Sequence, residues 1–401
     1  METETVALIV VLVVLGYGYI SRLLQQFNVS GPMVFMLIGI LLSPLGFSVV
    51  TERLNAEAVQ ITAELALIIV LFSDASGLHL KKLKLEWKIP VRLLFIGLPL
   101  TIVFAAFAAK AFFPGEAVLY LLMMSLILAP TDAALGKAVV TDKKVPEKIR
   151  SSINVESGLN DGIVFPVLIT AVAMIASGAE SAHGSDWMTF VAKQIVFGAI
   201  IGAGIGYISA RLAAISNHRN WMSESYENLI PIALALLSYF AAEYFQGNGF
   251  IAAFFAGLLV GNYSETLRDH VENFAESEGE LLILVSFLVF GVVFIPATIE
   301  YWTLKALLFA LLSMTVFRMV PVAISLIGTK FDLSTVLFIG WFGPRGIASI
   351  LYVVIVVGQL GSIEGHETVY AVITITVLLS IILHGLSAQP FVRMYGKTHK
   401  S

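Results

Sequence analysis

Apolar segments of about the length that crosses a lipid bilayer recur thirteen times along this chain of 401 residues. A helix needs roughly 17–25 mostly apolar residues to cross the hydrocarbon core of a membrane. Because the segments are continuous rather than alternating in polarity, they predict helices and not the strands of a β-barrel. We therefore expect an all-α polytopic membrane protein with about 13 transmembrane helices. The segments span residues 5–20, 31–45, 58–78, 89–113, 117–135, 151–177, 187–213, 228–245, 248–262, 279–296, 302–328, 333–357 and 366–388.

The composition agrees with an integral membrane protein. Hydrophobic residues make up 58% of it and charged residues only 13%, with a mean hydropathy of +0.90. There is no cysteine, which excludes disulfide and thiol chemistry, and the net charge of −4 comes without a basic patch for nucleic acid. No stretch is long enough for a soluble domain, so residues 1–401 are expected to form one membrane domain without a soluble partner.

The lysines and arginines predict the orientation of the chain. Most of the 24 lie in the connections that follow odd-numbered segments and in the C-terminal tail. Basic residues are enriched in the cytoplasmic loops of membrane proteins. We therefore expect the N-terminus outside and the C-terminus in the cytoplasm. The membrane is expected to be the plasma membrane.

Thirteen segments divide into six, one and six. This division gives a first repeat over residues 5–177 and a second over 228–388, joined by a helix at 187–213. Six spans followed by a seventh invert the second set of six relative to the first, as in transporters with inverted-topology repeats. The sequence thus predicts two inverted six-helix repeats.

Corresponding segments of the two repeats each contain a proline beside a charge. Segment five contains Ala129-Pro130-Thr131-Asp132, and segment twelve contains Gly343-Pro344-Arg345-Gly346. Proline removes a backbone donor and clashes with the preceding helical turn, so both helices are expected to unwind and cross. Paired broken helices point to the substrate site of a transporter, whereas the alternative is two ordinary proline kinks.

The segment Ser151–Ser177 carries polar groups deep in its apolar run. Asp161 lies ten residues after Ser151, or roughly 15 Å along a helix, about midway through a ~30 Å hydrocarbon core. Helical spacing places Ser157 and Asp161 on one face, and Glu156 and Asn160 likewise share a face. A carboxylate at this depth costs free energy to bury and usually faces a partner or a water-filled cavity.

Five ionisable residues lie deep in the predicted segments, and their formal charges sum to −1. One monovalent cation or one proton would neutralise the set, and we expect Asp161 to be the group that takes it. Glu156 is expected to pair with Arg345. The alternative is that all five only hold helices together, although buried ion pairs stabilise poorly compared with apolar packing. The five are Asp132, Glu156, Asp161, Arg318 and Arg345.

Four passages carry a resemblance to a known family. The stretch Glu156-Ser157-Gly158-Leu159-Asn160-Asp161-Gly162 resembles the Asn-Asp signature of the monovalent cation–proton antiporter superfamily. The other three are Ala129-Pro130-Thr131-Asp132, Gly340-Trp341-Phe342-Gly343-Pro344-Arg345-Gly346 and His384-Gly385-Leu386-Ser387-Ala388. Together they resemble NhaP-type sodium/proton antiporters, which are related to animal sodium/proton exchangers, and the resemblance covers essentially the whole chain.

The resemblance implies a homodimer in which core helices move against a scaffold. The core would comprise residues 89–177 and 302–388, and the dimerisation scaffold residues 5–78 and 187–296. No cofactor is implied, because Na⁺ and H⁺ are the transported substrates. We expect His384 to be a packed residue near a helix end rather than a pH sensor.

The resemblance also implies a role for each residue of the constellation. Asp161 would carry the cation or the proton, with Na⁺ also bound by oxygen atoms of Ser157 and Thr131. Asp74 matches an acidic residue at the cytoplasmic mouth of the ion path, or is instead a solvated acid at a helix end. The remaining roles are an orienting amide (Asn160), a structural ion pair (Glu156 and Arg345), compensation of charge and helix dipoles (Asp132 and Arg318) and helix breaks (Pro130, Gly343 and Pro344).

These expectations predict an antiporter that exchanges Na⁺, or Li⁺, for H⁺ by alternating access. Because Asn160 does not titrate, exchange is expected to be electroneutral at one to one. A K⁺/H⁺ antiporter of the same fold is the nearest alternative. From other classes, an intramembrane aspartyl protease with Asp132 and Asp161 as its dyad leaves Asn160 without a role, and a passive cation channel would need no counter-ion.

Overall fold

A computed structural model of the protein describes residues 2–50, 56–81, 87–132, 135–178, 184–227, 229–275 and 279–398. Within these ranges the chain is helical and no residue belongs to a strand. The main helices are α1 (Glu2–Gln26), α2 (Gly31–Leu42), α3 (Ala56–Ser76), α4 (Lys88–Phe112), α5 (Val118–Leu128), α6 (Glu147–Ala176), α7 (Gly184–His218), α8 (Ile230–Tyr244), α9 (Gly249–Tyr263), α10 (Glu265–Phe274), α11 (Glu280–Tyr301), α12 (Leu304–Ser325), α13 (Leu333–Trp341), α14 (Ile347–Leu360) and α15 (Glu367–Thr398).

The prediction of thirteen membrane helices is confirmed. In the described part of the chain, seven helices are long and apolar enough to cross a membrane, and six shorter apolar helices accompany them. Each overlaps one predicted segment, and predicted segment twelve overlaps both α13 and α14. The hydropathy of the sequence suffices here because each helix satisfies its own backbone hydrogen bonds inside lipid.

Helix ends follow local chemistry. The side-chain oxygen of Asn248 accepts the amide of Ile251 at 3.0 Å and starts α9, and Thr303 caps α12 through the amide of Ala306 at 3.2 Å. These bonds satisfy donors that have no partner inside the helix. Gly361, at φ +82°, ends α14 in the left-handed conformation that glycine adopts most readily.

One compact unit comprises Met1–Ala63, Lys88–Asn160 and Leu281–Ser401. Its core includes α15, which packs against α12 and α5. Helices α2 and α11 cross closely, since a Cβ atom on Gly39 would lie 2.3 Å from the carbonyl oxygen of Leu288. Both breaks predicted from the sequence lie in this unit.

A second compact unit comprises Glu64–Trp87 and Asp161–Glu280. Here α9 packs against α7 through small residues: a Cβ atom on Gly202 would lie 2.1 Å from the carbonyl oxygen of Ala252. Small residues at such crossings let helix backbones approach in a membrane. The division into core and dimerisation helices inferred from the resemblance stays a prediction.

Candidate ion-binding site

The first break follows α5, which ends at Leu128. Residues Pro130–Asp132 are not helical, and the chain regains a short helix at Lys137–Val140. The unwinding expected at Pro130 is therefore present. It frees the carbonyl groups of Pro130 and Thr131 from a helical hydrogen-bond ladder, so both can bind other groups.

The second break separates α13 from α14. The backbone from Phe342 to Gly346 is not helical, and α14 begins at Ile347. The break predicted at Gly343 and Pro344 is thus also present. A Cβ atom on Gly343 would lie 2.8 Å from Nε of Arg318 and 2.9 Å from Cγ2 of Thr131, so only a glycine lets the chain pass here without displacing its neighbours.

Asp132 joins the two breaks. Its backbone amide donates to the carbonyl of Pro344 at 2.8 Å, and its Oδ2 accepts the amide of Ile347 at 2.7 Å. The carboxylate therefore lies at the N-terminus of α14, where a negative charge interacts favourably with the helix dipole. A Cβ atom on Gly346 would lie 2.1 Å from Oδ2, so this contact leaves no room for a side chain at residue 346.

Thr131 collects polar groups from α6. The hydroxyl of Ser157 donates to the carbonyl of Thr131 at 2.5 Å. Nδ2 of Asn160 donates to Oγ1 of Thr131 at 2.8 Å and more weakly to its carbonyl at 3.4 Å. All three residues are buried. Three of the predicted site residues thus meet where the first broken helix contacts α6.

Glu156 forms a buried ion pair with Arg318, and the expected pairing of Glu156 with Arg345 is wrong. Nη2 of Arg318 donates to Oε2 of Glu156 at 2.8 Å, and Nη1 lies 2.6 Å from Oε1. Both side chains are 1% exposed. Arg318 lies three residues after the interruption of α12 at Thr315 and within reach of Glu156, whereas the guanidinium of Arg345 contacts the carbonyl of Pro130. Arg318 is therefore an ion-pair partner and not only a compensating charge.

Arg345 contacts the other broken helix instead. Its Nη1 donates to the carbonyl of Pro130 at 3.3 Å, and the residue is fully buried. Nε and Nη2 have no hydrogen-bond partner among the described residues. Arg345 of the second break thus contacts the first break, and Asp132 of the first break contacts the second.

Asp161 and Asp74 belong to the second unit. Asp161 is 5% exposed and follows Asn160 directly in α6, so it shares a helix face with Ser157, four residues earlier. Asp74 lies in the last turn of α3 and is exposed. The roles expected of these two carboxylates stay predictions.

The donor set of the first unit consists of oxygen atoms of several kinds. They are hydroxyls (Thr131 and Ser157), freed backbone carbonyls (Pro130 and Thr131) and a side-chain amide (Asn160), and Oδ1 of Asn160 accepts no hydrogen bond from a described residue. Such hard ligands suit hard cations. Within the described ranges no group of three or more His, Cys, Asp or Glu could hold a metal ion.

Two residues that contact the second break were not predicted. The hydroxyl of Ser380 accepts the amide of Arg345 at 2.6 Å, and Nε2 of His384 lies 2.9 Å from the carbonyl oxygen of Trp341. The signal available in the sequence was indirect: an unwound segment leaves backbone groups that need partners, and polar residues of a neighbouring apolar segment are the candidates.

Comparison with known proteins finds one family and several relatives. The family model described as "Sodium/hydrogen exchanger, transmembrane" matches residues 8–394. A K⁺/H⁺ antiporter NhaP of Alkalimonas amylolytica is 26% identical over 98% of this chain and 67% of its own length. A Na⁺/H⁺ antiporter of Schizosaccharomyces pombe is 28% identical over 72% of this chain and 67% of its own length.

Other matches extend this comparison. A K⁺/H⁺ antiporter NhaP2 of Shewanella oneidensis is 24% identical over 68% of this chain, but over only 47% of its own length. A solved structure of the sodium proton antiporter MjNhaP1 from Methanocaldococcus jannaschii aligns with a TM-score of 0.79 at 18% identity. The alignment covers 99% of this chain and 100% of the solved chain, so the two proteins share a fold. The chain belongs to the sodium/hydrogen exchanger family of multi-pass membrane transporters, and it is not an enzyme.

Proposed function

We propose that the protein is a secondary active antiporter that exchanges Na⁺, or Li⁺, for H⁺ by alternating access. Cation/proton antiport is supported by the family match over residues 8–394 and by relatives that are named as antiporters. The main observation in support of the site is that Thr131, in the first broken helix, is hydrogen-bonded to Ser157 and Asn160. Asn160 directly precedes Asp161 in the chain.

The proposed mechanism is competition for one carboxylate. Na⁺ binds oxygen ligands, which Asp161 and Ser157 supply on one face of α6 and the unwound Thr131 supplies beside Ser157. A proton on Asp161 neutralises the same charge. If the transporter changes state only when Asp161 is neutral, each crossing carries one ion and the exchange is obligatory.

The charges around the site support an electroneutral cycle. Glu156 and Arg318 neutralise one another at 2.6–2.8 Å, and Asp132 and Arg345 bring one charge of each sign to the two breaks. We assign the transported ion to Asp161, as the family resemblance implies, so that the ion neutralises this carboxylate in each crossing. Asn160 has no titratable proton near pH 7, so one Na⁺ exchanges for one H⁺ without net charge.

A K⁺/H⁺ antiporter remains the second candidate. The specific observation in its favour is the relative from Alkalimonas amylolytica, a K⁺/H⁺ antiporter that covers 98% of this chain. The donor types are the same for both ions, and the distances between oxygen atoms in the occupied site decide between them. Purified protein in liposomes, with the change in internal pH followed after separate additions of Na⁺, Li⁺ and K⁺, ranks the ions directly. Activity with K⁺ alone would establish the alternative.

We also propose a plasma-membrane homodimer with its N-terminus outside and its C-terminus in the cytoplasm. The distribution of lysine and arginine supports the orientation. The chain has no cysteine. A single cysteine introduced near either end is therefore the one residue of this protein that a membrane-impermeant maleimide can label. Labelling of intact cells at the N-terminal position only is expected, and light scattering of the purified protein should give the mass of two chains.

A further inference from the structure

One face of α15 binds both ends of the unwound segment between α13 and α14. Nε2 of His384 lies 2.9 Å from the carbonyl oxygen of Trp341, the last residue of α13. The hydroxyl oxygen of Ser380 accepts the amide of Arg345, just before α14, at 2.6 Å. Ser380 and His384 are four residues apart in α15 and therefore share a face.

These two side chains also contact each other. Oγ of Ser380 lies 3.1 Å from Nδ1 of His384. Since Oγ accepts the amide of Arg345, its single hydrogen is available to Nδ1. The groups then form one directed chain, from the Arg345 amide to Ser380, from Ser380 to Nδ1, and from Nε2 to the carbonyl of Trp341.

This chain assigns the proton of a neutral His384 ring to Nε2. With the proton on Nδ1, the ring could donate to the carbonyl of Ser380, which lies 3.0 Å away. The bare Nε2 would then face the carbonyl oxygen of Trp341, and two acceptors would oppose each other at 2.9 Å. The tautomer with the proton on Nε2 gives every member of the chain a partner.

The backbone groups that this series of hydrogen bonds contacts lie at the two ends of the broken helix, where the helical hydrogen-bond ladder is interrupted. A broken helix leaves a carbonyl at the end of one part and an amide at the start of the next without intrahelical partners. Ser380, His384 and Arg345 are all at most 2% exposed, and an unsatisfied backbone group in a membrane interior is costly. Asp132 satisfies the amide of Ile347, and Ser380 of α15 satisfies the amide of Arg345. The carbonyl of Trp341 accepts the amide of Gly343 at 2.8 Å, and Nε2 of His384 is its second donor.

We propose that Ser380 and His384 are positioning residues for ion exchange, an inference that rests on the proposed antiport function. They fix the backbone of Trp341 and Arg345, and thereby the carbonyl of Pro344 that accepts the amide of Asp132. Through Arg345, whose Nη1 donates to Pro130, they hold the second break against the first. Neither residue ligates the transported ion.

Four substitutions test separately the bond of Ser380 to the Arg345 amide and the bond of His384 to the Trp341 carbonyl. His384→Phe keeps a ring beside Trp341, whose ring centroid lies 4.9 Å away, but removes the bonds of His384 to Trp341 and to Ser380. His384→Gln retains a donor that reaches the position of Nε2. Ser380→Ala removes the acceptor for Arg345, whereas Ser380→Thr retains a hydroxyl.

Thr376→Val is the matched control. Thr376 is a buried residue one turn earlier in α15, and its hydroxyl donates to Val372 of the same helix at 2.7 Å. Among the residues that the structure describes, its hydroxyl makes no hydrogen bond to the unwound segment at 342–346. A loss that this control shares therefore reports the packing of α15 and not the positioning of the break.

Two measurements on the purified full-length protein test the proposal. In hydrogen–deuterium exchange, His384→Phe and Ser380→Ala should speed exchange in peptides covering residues 342–347, while Thr376→Val should not. In liposomes, both variants should raise the apparent KM for Na⁺, or for K⁺ if K⁺ is the substrate, by about fivefold, the effect of one lost hydrogen bond. His384→Gln and Ser380→Thr should restore KM to within about twofold of the unsubstituted protein.

Two results overturn the proposal. One is unchanged exchange of residues 342–347 in His384→Phe and Ser380→Ala, and the other is faster exchange with an unchanged KM and only a lower melting temperature. Failure of the unsubstituted protein to exchange any monovalent cation for protons instead refutes the proposed function. The deuterium experiment needs no transport, so the two failures are distinguishable.

Discussion

Glu156 and Arg318 face one another through two nitrogen–oxygen contacts of 2.6 and 2.8 Å, with both side chains 1% exposed. The pair joins α6 to α12, helices whose contacting residues are 162 positions apart in the chain. Breaking a buried ion pair by removing one partner is costly because it strands a charge in a medium of low dielectric constant.

Arg318→Ala should lower the free energy of unfolding by about 3–5 kcal/mol, because it leaves the carboxylate of Glu156 buried without its partner. The double variant Glu156→Leu with Arg318→Met should be less destabilised than Arg318→Ala. Thermal unfolding in detergent, followed by tryptophan fluorescence, measures both. Arg345→Ala, which removes one hydrogen bond to Pro130, is the comparison and should be milder. Equal losses for Arg318→Ala and Arg345→Ala would contradict the observed pairing.

Gly346→Ala should destabilise the protein by about 1–3 kcal/mol, as expected when a methyl group is forced into a filled site. The added Cβ atom would lie 2.1 Å from Oδ2 of Asp132, so either the carboxylate or the start of α14 must shift. The melting temperature and the initial rate of exchange in liposomes should both fall.

Gly204→Ala provides the control for Gly346→Ala. Gly204 lies in α7, and a Cβ atom there meets nothing within 4 Å. This variant should be neutral or stabilised by up to about 1 kcal/mol, since alanine favours the helix more than glycine does. A tolerated Gly346→Ala with normal exchange would show that the contact with Asp132 is dispensable.

Asp132→Ala should cost about 1 kcal/mol of stability, the usual effect of deleting the acceptor at a helix start. Asp132→Asn keeps a side-chain oxygen for the amide of Ile347 and loses only the charge, so its loss should be smaller. Unfolding in detergent gives the order of the two variants. A larger loss for Asp132→Asn than for Asp132→Ala would argue against Asp132 as the cap of α14.

Asn160→Asp should make exchange sensitive to membrane voltage. The substitution adds an acid beside Asp161. When this acid takes up a second proton, the proton-bound form crosses with one more positive charge than the form that carries one Na⁺. Initial rates in liposomes under an imposed diffusion potential measure this, and the unsubstituted protein should show rates independent of voltage. A voltage-dependent rate for the unsubstituted protein would refute the electroneutral cycle.

The sequence predicts the thirteen helices and both breaks because each depends on local chemistry. Continuous hydropathy marks a helix that satisfies its own backbone in lipid, and Pro130 and Pro344 mark where that ladder fails. The expectation that Thr131, Ser157 and Asn160 belong to one site came from the family resemblance of the motifs that contain them.

The partner of Glu156 could not be predicted in the same way. Arg318 and Arg345 are both deep, and the choice between them depends on how α12 and the second break pack against α6, which no local pattern encodes. The contacts of Ser380 and His384 with the second break also depend on packing. His384 was expected to be a packed residue near a helix end, and its bond to the carbonyl of Trp341 emerged only from the fold.

Exchange by Asp161→Asn protein in liposomes tests the central proposal most directly. The control is Asp269→Asn, which neutralises an exposed carboxylate on α10 and should leave the rate unchanged. The account predicts that Asp161→Asn protein, folded and monodisperse, shows no Na⁺-, Li⁺- or K⁺-driven change of internal pH. Coupled exchange at the normal rate by Asp161→Asn would contradict it.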